Sequence, residues 1–317
     1  MRTYLDFEKT IAEIEGKIAE LRALSRDGDE MSIDEDLKRL ETKAAEALKN
    51  IYASLSPWQK TQVARHPERP HFSDYAKVLL EDFTPLAGDR RFAEDHAIVG
   101  GPARFRGRAV MAIGHEKGSN TEARLKHNFG MARPEGYRKA ARLIETANRF
   151  GLPLISIVDT AGAYPGIGAE QRGQAEAIAR CTQACLNAKV PFVSVIIGEG
   201  GSGGAVAIAS ANAVLMLEHA IYAVASPEAS ASILWRDSAR ARDAADTMKI
   251  TAQDLLRLGV IDTIVPEPVG GAHREPVRAV VETGNAVEAA LMAIEDRPGE
   301  ELVEARRSKF LEIGRSL

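Results

Sequence analysis

Two glycine-rich stretches each follow a run of apolar residues that could form a buried strand. They are DTAGAYPG at residues 159–166, the first glycine segment, and GEGGSGGA at residues 198–205, the second glycine segment. Glycines between a strand and a helix let backbone N–H groups approach a ligand closely, and the following helix adds its positive N-terminal end. Such a place stabilises an anion or a developing oxyanion. Tight turns alone could explain one such segment, but two in the same setting favour a ligand site.

The second glycine segment also matches a dinucleotide-binding pattern. Gly198, Gly200 and Gly203 satisfy G-x-G-x-x-G, and the acidic Glu218 follows at the end of a predicted strand. This pattern is easily met in a run of five glycines, and it gives no role to the first glycine segment. A dinucleotide site is therefore one alternative, and saturable binding of NADH would be its mark.

A serine hydrolase is the second alternative for the same segment. Gly200, Ser202 and Gly204 satisfy G-x-S-x-G, and Asp262 and His273 follow in the chain order that α/β hydrolases use. Serine beside glycine is more often a turn residue than a nucleophile. The hydrolase hypothesis therefore depends on whether these three side chains meet in the fold.

The third alternative needs no covalent step. Gly203 and Gly204 would form an oxyanion hole for an acyl thioester or a urea oxygen. We expect no metal in this chain, because no histidine pair has H-x-x-x-H spacing and Cys181 and Cys185 lack the Cys/His partners of a zinc site. We expect these two thiols to be buried on one face of a helix.

The composition argues against several classes of protein. The chain has 317 residues, 45% of them apolar and 27% charged, with a net charge of −4 and a pI near 6.0. This balance predicts no basic surface for nucleic acid or an anionic membrane. The N-terminal MRTYLDFEKT has no apolar run, and no stretch has the ~18 apolar residues that a membrane span needs. We therefore expect a cytoplasmic enzyme that neither binds nucleic acid nor inserts into a membrane.

The pattern of apolar residues divides the chain into three parts. Residues 1–55 have a/d spacing and predict a helical hairpin, with its turn in the charged stretch 25–36. The apolar seam of this hairpin could pack on the rest of the chain or on another subunit. Residues 56–96 form a connecting segment interrupted by prolines. Residues 97–317 alternate between strand and helix, which predicts an α/β domain with mainly parallel pairing.

Turn and capping residues place individual elements within this third part. Two strands should meet in a turn at Arg106–Gly107. Ser226 and Thr251 should cap the N-termini of two helices. The apolar stretch at residues 205–211 should form a short helix directly after the second glycine segment.

Several stretches resemble the carboxyltransferase alpha subunits of bacterial acetyl-CoA carboxylase, in the same order and with similar spacing. The similarity runs from about residue 4 to residue 274, and GEGGSGGA together with PEGYRKA and PEPVGGAHR is highly specific. The stretches are AIVGG (97–101), NFGMARPEGYRKA (128–140), DTAGAYPG (159–166), GQAEAIAR (173–180), IGEGGSGGA (197–205), SPEASASILW (226–235) and IVPEPVGGAHR (264–274), with LDFEKTIAEIEGKI near the start.

This resemblance implies a fold and a reaction. The fold would be the α/β crotonase-like (ClpP/crotonase) type, in which ββα units form a spiral, preceded here by the N-terminal helical hairpin. The reaction would transfer the carboxyl group of carboxybiotin, held on the biotin carboxyl carrier protein, to acetyl-CoA. The product would be malonyl-CoA for fatty acid biosynthesis. ATP would be used by the separate biotin carboxylase and not by this chain.

The resemblance also implies a partner and roles for single residues. A beta subunit, which carries the family's zinc site, would join this chain in an alpha2beta2 assembly with the active site across their interface. Gly203 and Gly204 match the catalytic pair that supplies N–H donors on the alpha side, and one such donor is worth ~3–4 kcal/mol in acyl transfer. The predicted substrate- and biotin-binding residues are Gly162, Ala163, Gly166, Gly200, Gly201 and Ser202.

Two departures from the family pattern lie near these residues. Ala161 replaces the proline of the family's DTPGAYPG, which loosens the backbone but removes no donor. Ala229 and Ser230 replace a Gly–Cys pair in the family's SPEGCASILW. If that glycine needs a positive φ, Ala229 would cost ~1 kcal/mol and shift the start of the helix. The acyl selectivity and the base that takes the α-proton stay open, with biotin itself as one candidate base.

Overall fold

One mainly parallel β-sheet lies at the centre of the computed structural model, which describes residues 2–24 and 30–315. Its strands are β1 (Leu80–Glu81), β2 (Ile98–Phe105), β3 (Arg108–His115), β4 (Leu154–Thr160), β5 (Phe192–Gly201), β6 (Ala213–Leu217), β7 (Ile221–Ala223) and β8 (Thr263–Val265). Their order across the sheet is β1-β2-β3-β4-β5-β6-β8, and β7 pairs with the end of β5. The predicted α/β class is confirmed.

The pairing within the sheet changes from antiparallel to parallel at β3. β2 and β3 form an antiparallel hairpin whose turn is at Arg106 and Gly107. Their φ angles are 51° and 78°, and a two-residue turn that matches the twist of a hairpin needs two positive φ angles. From β3 to β8 the neighbouring strands pair in parallel. Both the predicted turn and the predicted parallel pairing are confirmed.

α-Helices account for most of the remaining described residues. They are α1 (Lys9–Leu24), α2 (Glu30–Tyr52), α3 (Pro57–Ala64), α4 (Phe72–Leu79), α5 (Thr121–Lys126), α6 (Pro134–Phe150), α7 (Ile167–Gln171), α8 (Gln174–Asn187), α9 (Ser202–Ala209), α10 (Pro227–Trp235), α11 (Ala241–Thr247), α12 (Ala252–Arg257), α13 (Pro276–Met292) and α14 (Gly299–Glu312). In the described part of the chain, none of these helices is long and apolar enough to cross a membrane.

The two strands that lead to the glycine segments form the centre of the core. Every residue of β4 and β5 is buried, as is typical of parallel strands covered by helices on both faces. α6 packs against β2, β3 and α8, and Tyr137 of α6 is fully buried. Cys181 and Cys185 of α8 are buried free thiols, which confirms the prediction. A rigid core therefore supports the ends of both strands.

The predicted N-terminal hairpin is confirmed, but its turn is shorter than expected. α1 and α2 pack against each other through Ile14, Ile18 and Ala44. The turn was predicted at residues 25–36, but residues 30–36 are helical and residues 25–29 lie outside the described part of the chain. Glu, Lys and Arg are good helix formers, and Asp costs at most about 0.7 kcal/mol relative to Ala, so a charged stretch does not by itself end a helix.

Arg274 joins this hairpin to the rest of the chain. Its guanidinium donates to Glu8 Oε1 at 3.1 Å, just before α1, and to Glu15 Oε1 at 2.7 Å within α1. Burial alone would lower the pKa of Arg274, but the hydrogen bonds and charges of the two carboxylates outweigh it and raise the pKa. The hairpin therefore packs on the same chain. The predicted domain boundaries, after residue 55 and after residue 96, stay predictions.

The capping predictions are also confirmed. Ser226 Oγ accepts a hydrogen bond from Ala229 N at 3.1 Å and caps α10, and Thr251 Oγ1 accepts one from Asp254 N at 3.2 Å and caps α12. Ala229 lies inside α10 and does not have a positive φ. The alanine at this position therefore causes no backbone strain, and α10 begins where its cap predicts.

Candidate active site

The second glycine segment is a direct junction between a strand and a helix. β5 continues through Gly201, and α9 begins at Ser202. The prediction that the helix starts at residue 205 was therefore wrong. Gly203 and Gly204 lie in the first turn of α9 and not in a separate loop. Glycine has low helix propensity, and here the packing of the segment overrides it.

Close packing explains why glycines are required at this junction. A Cβ on Gly201 would lie 2.2 Å from Ala161 O, and a Cβ on Gly200 would lie 2.8 Å from the ring of Tyr222. β5 pairs with β4 on one side and with β7 on the other at this level. The strand can stay paired on both sides only because it carries no side chains here.

The first glycine segment leaves β4 after Thr160 and ends where α7 begins. Gly162 has a φ of 147°, which side chains of L-residues rarely allow. Thr160 Oγ1 accepts a hydrogen bond from Gly162 N at 3.1 Å and donates one to Gly162 O at 2.8 Å. The N–H of Gly162 is therefore already used. Any role for Gly162 in a ligand site depends on the shape of its backbone.

The two segments are in direct backbone contact. A Cβ on Gly204 would lie 2.8 Å from both Ala163 N and Gly162 C, and the Cβ position of Gly162 is 3.7 Å from Ser202 Cβ. These contacts, together with the one between Gly201 and Ala161, bring the predicted site residues of both segments together. They are Gly162 and Ala163 of the first segment and residues 200–204 of the second. Adjacent parallel strands end at the same edge of a sheet, and this accounts for the meeting.

Gly166 lies apart from this contact. It is the N-cap residue of α7, and its carbonyl accepts hydrogen bonds from Ala169 N at 2.9 Å and Glu170 N at 3.2 Å. A Cβ on Gly166 would overlap the ring of Tyr164 at 2.3 Å. Its close contacts are therefore local to the first glycine segment. Its predicted role in binding substrate stays a prediction.

The first turn of α9 is the part of this site best suited to an anion. First-turn N–H groups have no partner inside an α-helix, and no side chain caps this end of α9. The positive end of the helix dipole adds to their effect. Gly203 is half-buried and has only Ile178 near its Cβ position, at 3.5 Å. Gly203 therefore borders open space, whereas Gly204 packs against the first glycine segment.

A buried ion pair, which the sequence analysis did not identify, supports both segments. Asp159 Oδ1 forms an ion pair with Lys117 Nζ at 2.6 Å and accepts a hydrogen bond from Glu199 N at 2.9 Å. Burial would raise the pKa of Asp159, but Lys117 and the nearby His71 hold it well below its usual range. A buried carboxylate is tolerated only when it is paired in this way. The only signal of this ion pair in the sequence was Asp159 itself, an acidic residue near the end of a predicted buried strand.

The position of Asp159 also accounts for the irregular pairing between the ends of β4 and β5. The pairing register of these strands shifts between Val158 and Thr160. At this shift the side chain of Asp159, and not a backbone carbonyl, accepts the hydrogen bond from Glu199 N. A Cβ on Gly198 would lie 2.6 Å from Asp159 Oδ1, so Gly198 makes room for the carboxylate.

The serine hydrolase alternative lacks its catalytic triad. Ser202 has a φ of 55°, which is also found in the strained turn of a nucleophile elbow. However, Asp262 Oδ2 accepts a hydrogen bond from Val214 N at 2.6 Å, and the His273 ring stacks on His66 with ring centroids 3.8 Å apart. Among the described residues, no hydrogen bond joins Ser202 to Asp262 or His273. The three side chains do not form a charge-relay arrangement.

The dinucleotide alternative conflicts with the local geometry. Gly198 and Gly200 lie inside β5, whereas a pyrophosphate site needs these glycines in a turn before the helix. The space beside Gly198 is taken by Asp159. Glu218 Oε2 accepts a hydrogen bond from Glu267 N at 3.3 Å. These glycines serve the packing of the strands and do not surround a nucleotide.

Solved structures share this fold. Transcarboxylase 12S, with methylmalonyl-coenzyme A and methylmalonic acid bound, has a TM-score of 0.58 and 20% identity over 71% of this chain and 42% of that chain. This chain therefore spans less than half of the transcarboxylase chain. A Pseudomonas malonate decarboxylase hetero-tetramer in complex with coenzyme A has a TM-score of 0.57 and 17% identity over 71% and 92% of the two chains. The predicted crotonase-like fold is confirmed.

Sequence relatives extend this likeness to the whole chain. A family model described as acetyl co-enzyme A carboxylase carboxyltransferase-like matches residues 4–314. The Xanthobacter autotrophicus protein named acetyl-coenzyme A carboxylase carboxyl transferase subunit alpha is 66% identical over 317 residues, which are 100% of both chains. The match includes both glycine segments and the strands that position them. This chain therefore belongs to the acetyl co-enzyme A carboxylase carboxyltransferase family.

Proposed function

We propose that this chain is the alpha subunit of a biotin-dependent carboxyltransferase that carries the carboxyl group of carboxybiotin to acetyl-CoA and forms malonyl-CoA. Identity of 66% over the full length of a relative named for this subunit supports the assignment. The structural observation that carries it is the contact between the two glycine segments, which sets the N-terminus of α9 beside Ala163.

The backbone at this contact fits an anionic oxygen. Carboxybiotin, when bound, supplies the carboxyl group. The N–H groups of Gly203 and Gly204 stabilise negative charge on an oxygen at the end of α9, because they are fixed in place before a ligand arrives. The N–H of Ala163 makes no hydrogen bond to another described residue and adjoins Gly204. It is therefore a donor that the first glycine segment can offer to the site.

An apolar groove beside α9 is where we place the beta subunit. The groove has a volume of about 560 Å³ and is lined in part by Val206, Val224, Ile233 and Leu234. The exposed fractions of the last three are 86%, 77% and 63%. Clustered exposed apolar side chains mark an interaction surface. Val206 belongs to the same helix as Gly203, so a partner on this groove would also border the site.

The remaining partners follow from the proposed reaction. The biotin carboxyl carrier protein would bring carboxybiotin, and biotin carboxylase would form it with ATP, so this chain need not bind ATP. The beta subunit would complete an alpha2beta2 assembly with acetyl-CoA held between subunits. Malonyl-CoA would then supply fatty acid biosynthesis in the cytoplasm.

The test is the reverse reaction, in which malonyl-CoA and free biotin give acetyl-CoA and carboxybiotin. The chain would be assayed alone, with purified beta subunit, and against the beta subunit alone. We expect turnover only from the complex, because this chain supplies donors on one side of the site. Robust turnover by the isolated chain would contradict a divided site, and an inactive complex would contradict the proposed reaction.

A further inference from the structure

Arg65 bonds two carboxylates that lie far apart in the sequence. It is the C-cap residue of α3, and its Nε and Nη2 donate to Glu199 Oε1 at 3.0 and 2.6 Å. The other edge of the guanidinium, at Nη1, donates to Glu228 Oε1 at 2.7 Å. Burial would lower the pKa of Arg65, but its hydrogen bonds to both carboxylates outweigh this effect and raise it. One planar cation therefore holds both groups at once.

Each carboxylate belongs to a part of the proposed site. Glu199 directly precedes Gly200, its side chain is only 6% exposed, and its N–H donates to Asp159. Glu228 lies in the first turn of α10, the helix that presents Ile233 in the apolar groove. Arg65 is thus the ionic connection between the glycine junction and the helix on which we place the partner.

We infer that Arg65 is a positioning residue that couples docking of the beta subunit on α10 to the geometry of the glycine junction. The inference rests on the proposed function. A partner that fixes α10 also fixes Glu228, and through Arg65 it fixes the side chain of Glu199. The backbone of Glu199 is held by Asp159. With both its side chain and its backbone held, Glu199 fixes the end of β5, and α9 with its N–H donors starts directly after that end.

Glu228→Gln is the cleanest test, because the side chain of Glu228 is 39% exposed and the pair of Arg65 with the buried Glu199 stays intact. In the complex with the beta subunit, we expect kcat for malonyl-CoA to fall about tenfold, within the range of typical coupling energies. KM and the affinity for the beta subunit should not change. A residue that only stabilised the fold would not produce this separation of kcat from KM.

Arg65→Lys provides an independent variant. An ammonium keeps the charge but cannot bond both carboxylates with the geometry of a guanidinium fork. We expect a similar fall in kcat. The double variant with Glu228→Gln should have a kcat no lower than that of the less active single variant, because both changes weaken the same connection. Lys189→Gln is the matched control. It removes an exposed ion pair with Glu300 at 2.5 Å and should leave kcat unchanged.

Hydrogen exchange separates this inference from the proposed reaction, since it needs no turnover. In the wild-type chain, addition of the beta subunit should protect peptides covering both residues 227–235 and residues 198–205. In Glu228→Gln, protection should persist at 227–235 and be lost at 198–205. An assembled Glu228→Gln complex with wild-type kcat and wild-type protection would overturn the coupling. So would loss of beta binding, because it would place Glu228 in the interface itself.

Discussion

Gly204 of α9 and Ala163 of the first glycine segment are in backbone contact. Only 2.8 Å separates the Cβ position of Gly204 from Ala163 N, a distance that real Cβ atoms essentially never show. A side chain at residue 204 must therefore displace one of the two segments. At Gly203 the nearest atom to the Cβ position belongs to Ile178, at 3.5 Å, so the same change would be tolerated there.

Gly204→Ala should lower kcat of the assembled complex by about 10² to 10³, because displacing one oxyanion donor costs that much in acyl-transfer enzymes. The reverse reaction with malonyl-CoA and biotin measures it. Gly16→Ala is the control, since a Cβ there meets nothing within 4 Å in α1. It should keep kcat and raise the free energy of unfolding by up to ~1 kcal/mol. Turnover by Gly204→Ala close to that of wild type would show that this contact does not position donors.

Ser202→Ala should keep most of the carboxyltransferase activity, because Ser202 makes no catalytic hydrogen bond in the described structure. Loss of a nucleophile would instead cost on the order of 10⁴ or more in kcat. Ser202→Gly should raise the free energy of unfolding by ~1 kcal/mol, since the φ of 55° at this residue is strained for a side chain. An inactive but assembled Ser202→Ala complex would restore the hydrolase hypothesis.

Asp159→Asn should destabilise the fold. The change leaves the mostly buried Lys117 without its counter-charge, and removal of one member of a buried pair costs ~3–5 kcal/mol. Chemical denaturation at neutral pH measures the difference in the free energy of unfolding. Asp82→Asn is the matched control, because its carboxylate is 81% exposed and 3.6 Å from Arg104. The control should change stability by less than ~1 kcal/mol, and equal effects of the two changes would be inconsistent with the prediction.

The free energy of unfolding should fall as pH falls below about 6.5. Burial lowers the pKa of His115 from 6.5 to about 4. Between these two values the unfolded chain binds a proton at this residue and the folded chain does not, so stability is lost as pH drops through the window. His115→Gln should therefore lose less stability than wild type between pH 6.5 and about 4. His96→Gln, at an exposed position, should lose as much as wild type; equal losses in all three proteins would refute the assignment.

Ile233→Asp should weaken binding of the beta subunit by about 30-fold or more, the effect of losing a central interface side chain. The isolated variant should unfold as wild type does, because 77% of this side chain is exposed. Titration of the beta subunit followed by calorimetry measures the affinity. Leu311→Asp on α14, where 64% of the side chain is exposed, should bind normally. Unchanged affinity of Ile233→Asp would remove the groove from the interface.

The sequence by itself determined the features that depend on neighbouring residues. The turn at Arg106–Gly107 and the caps at Ser226 and Thr251 were predictable, because a turn or a cap is made within three or four residues of the chain. Alternating strand and helix patterns predicted the α/β class, and the resemblance predicted the family and the crotonase-like fold. The two glycine segments were identified because glycine leaves a strong signal where backbone must approach closely.

Only the tertiary structure decided how those segments meet and what holds them. Gly203 and Gly204 lie in a helix despite the low helix propensity of glycine. A side chain at residue 204 would strike Ala163, a contact that no local propensity contains. Asp159 and Glu199 are 40 positions apart, and Arg65 and Glu228 are 163 apart. Buried charges must find partners, but a charged residue carries no periodic signal that names its partner. The fold alone brings the partners within hydrogen-bond distance.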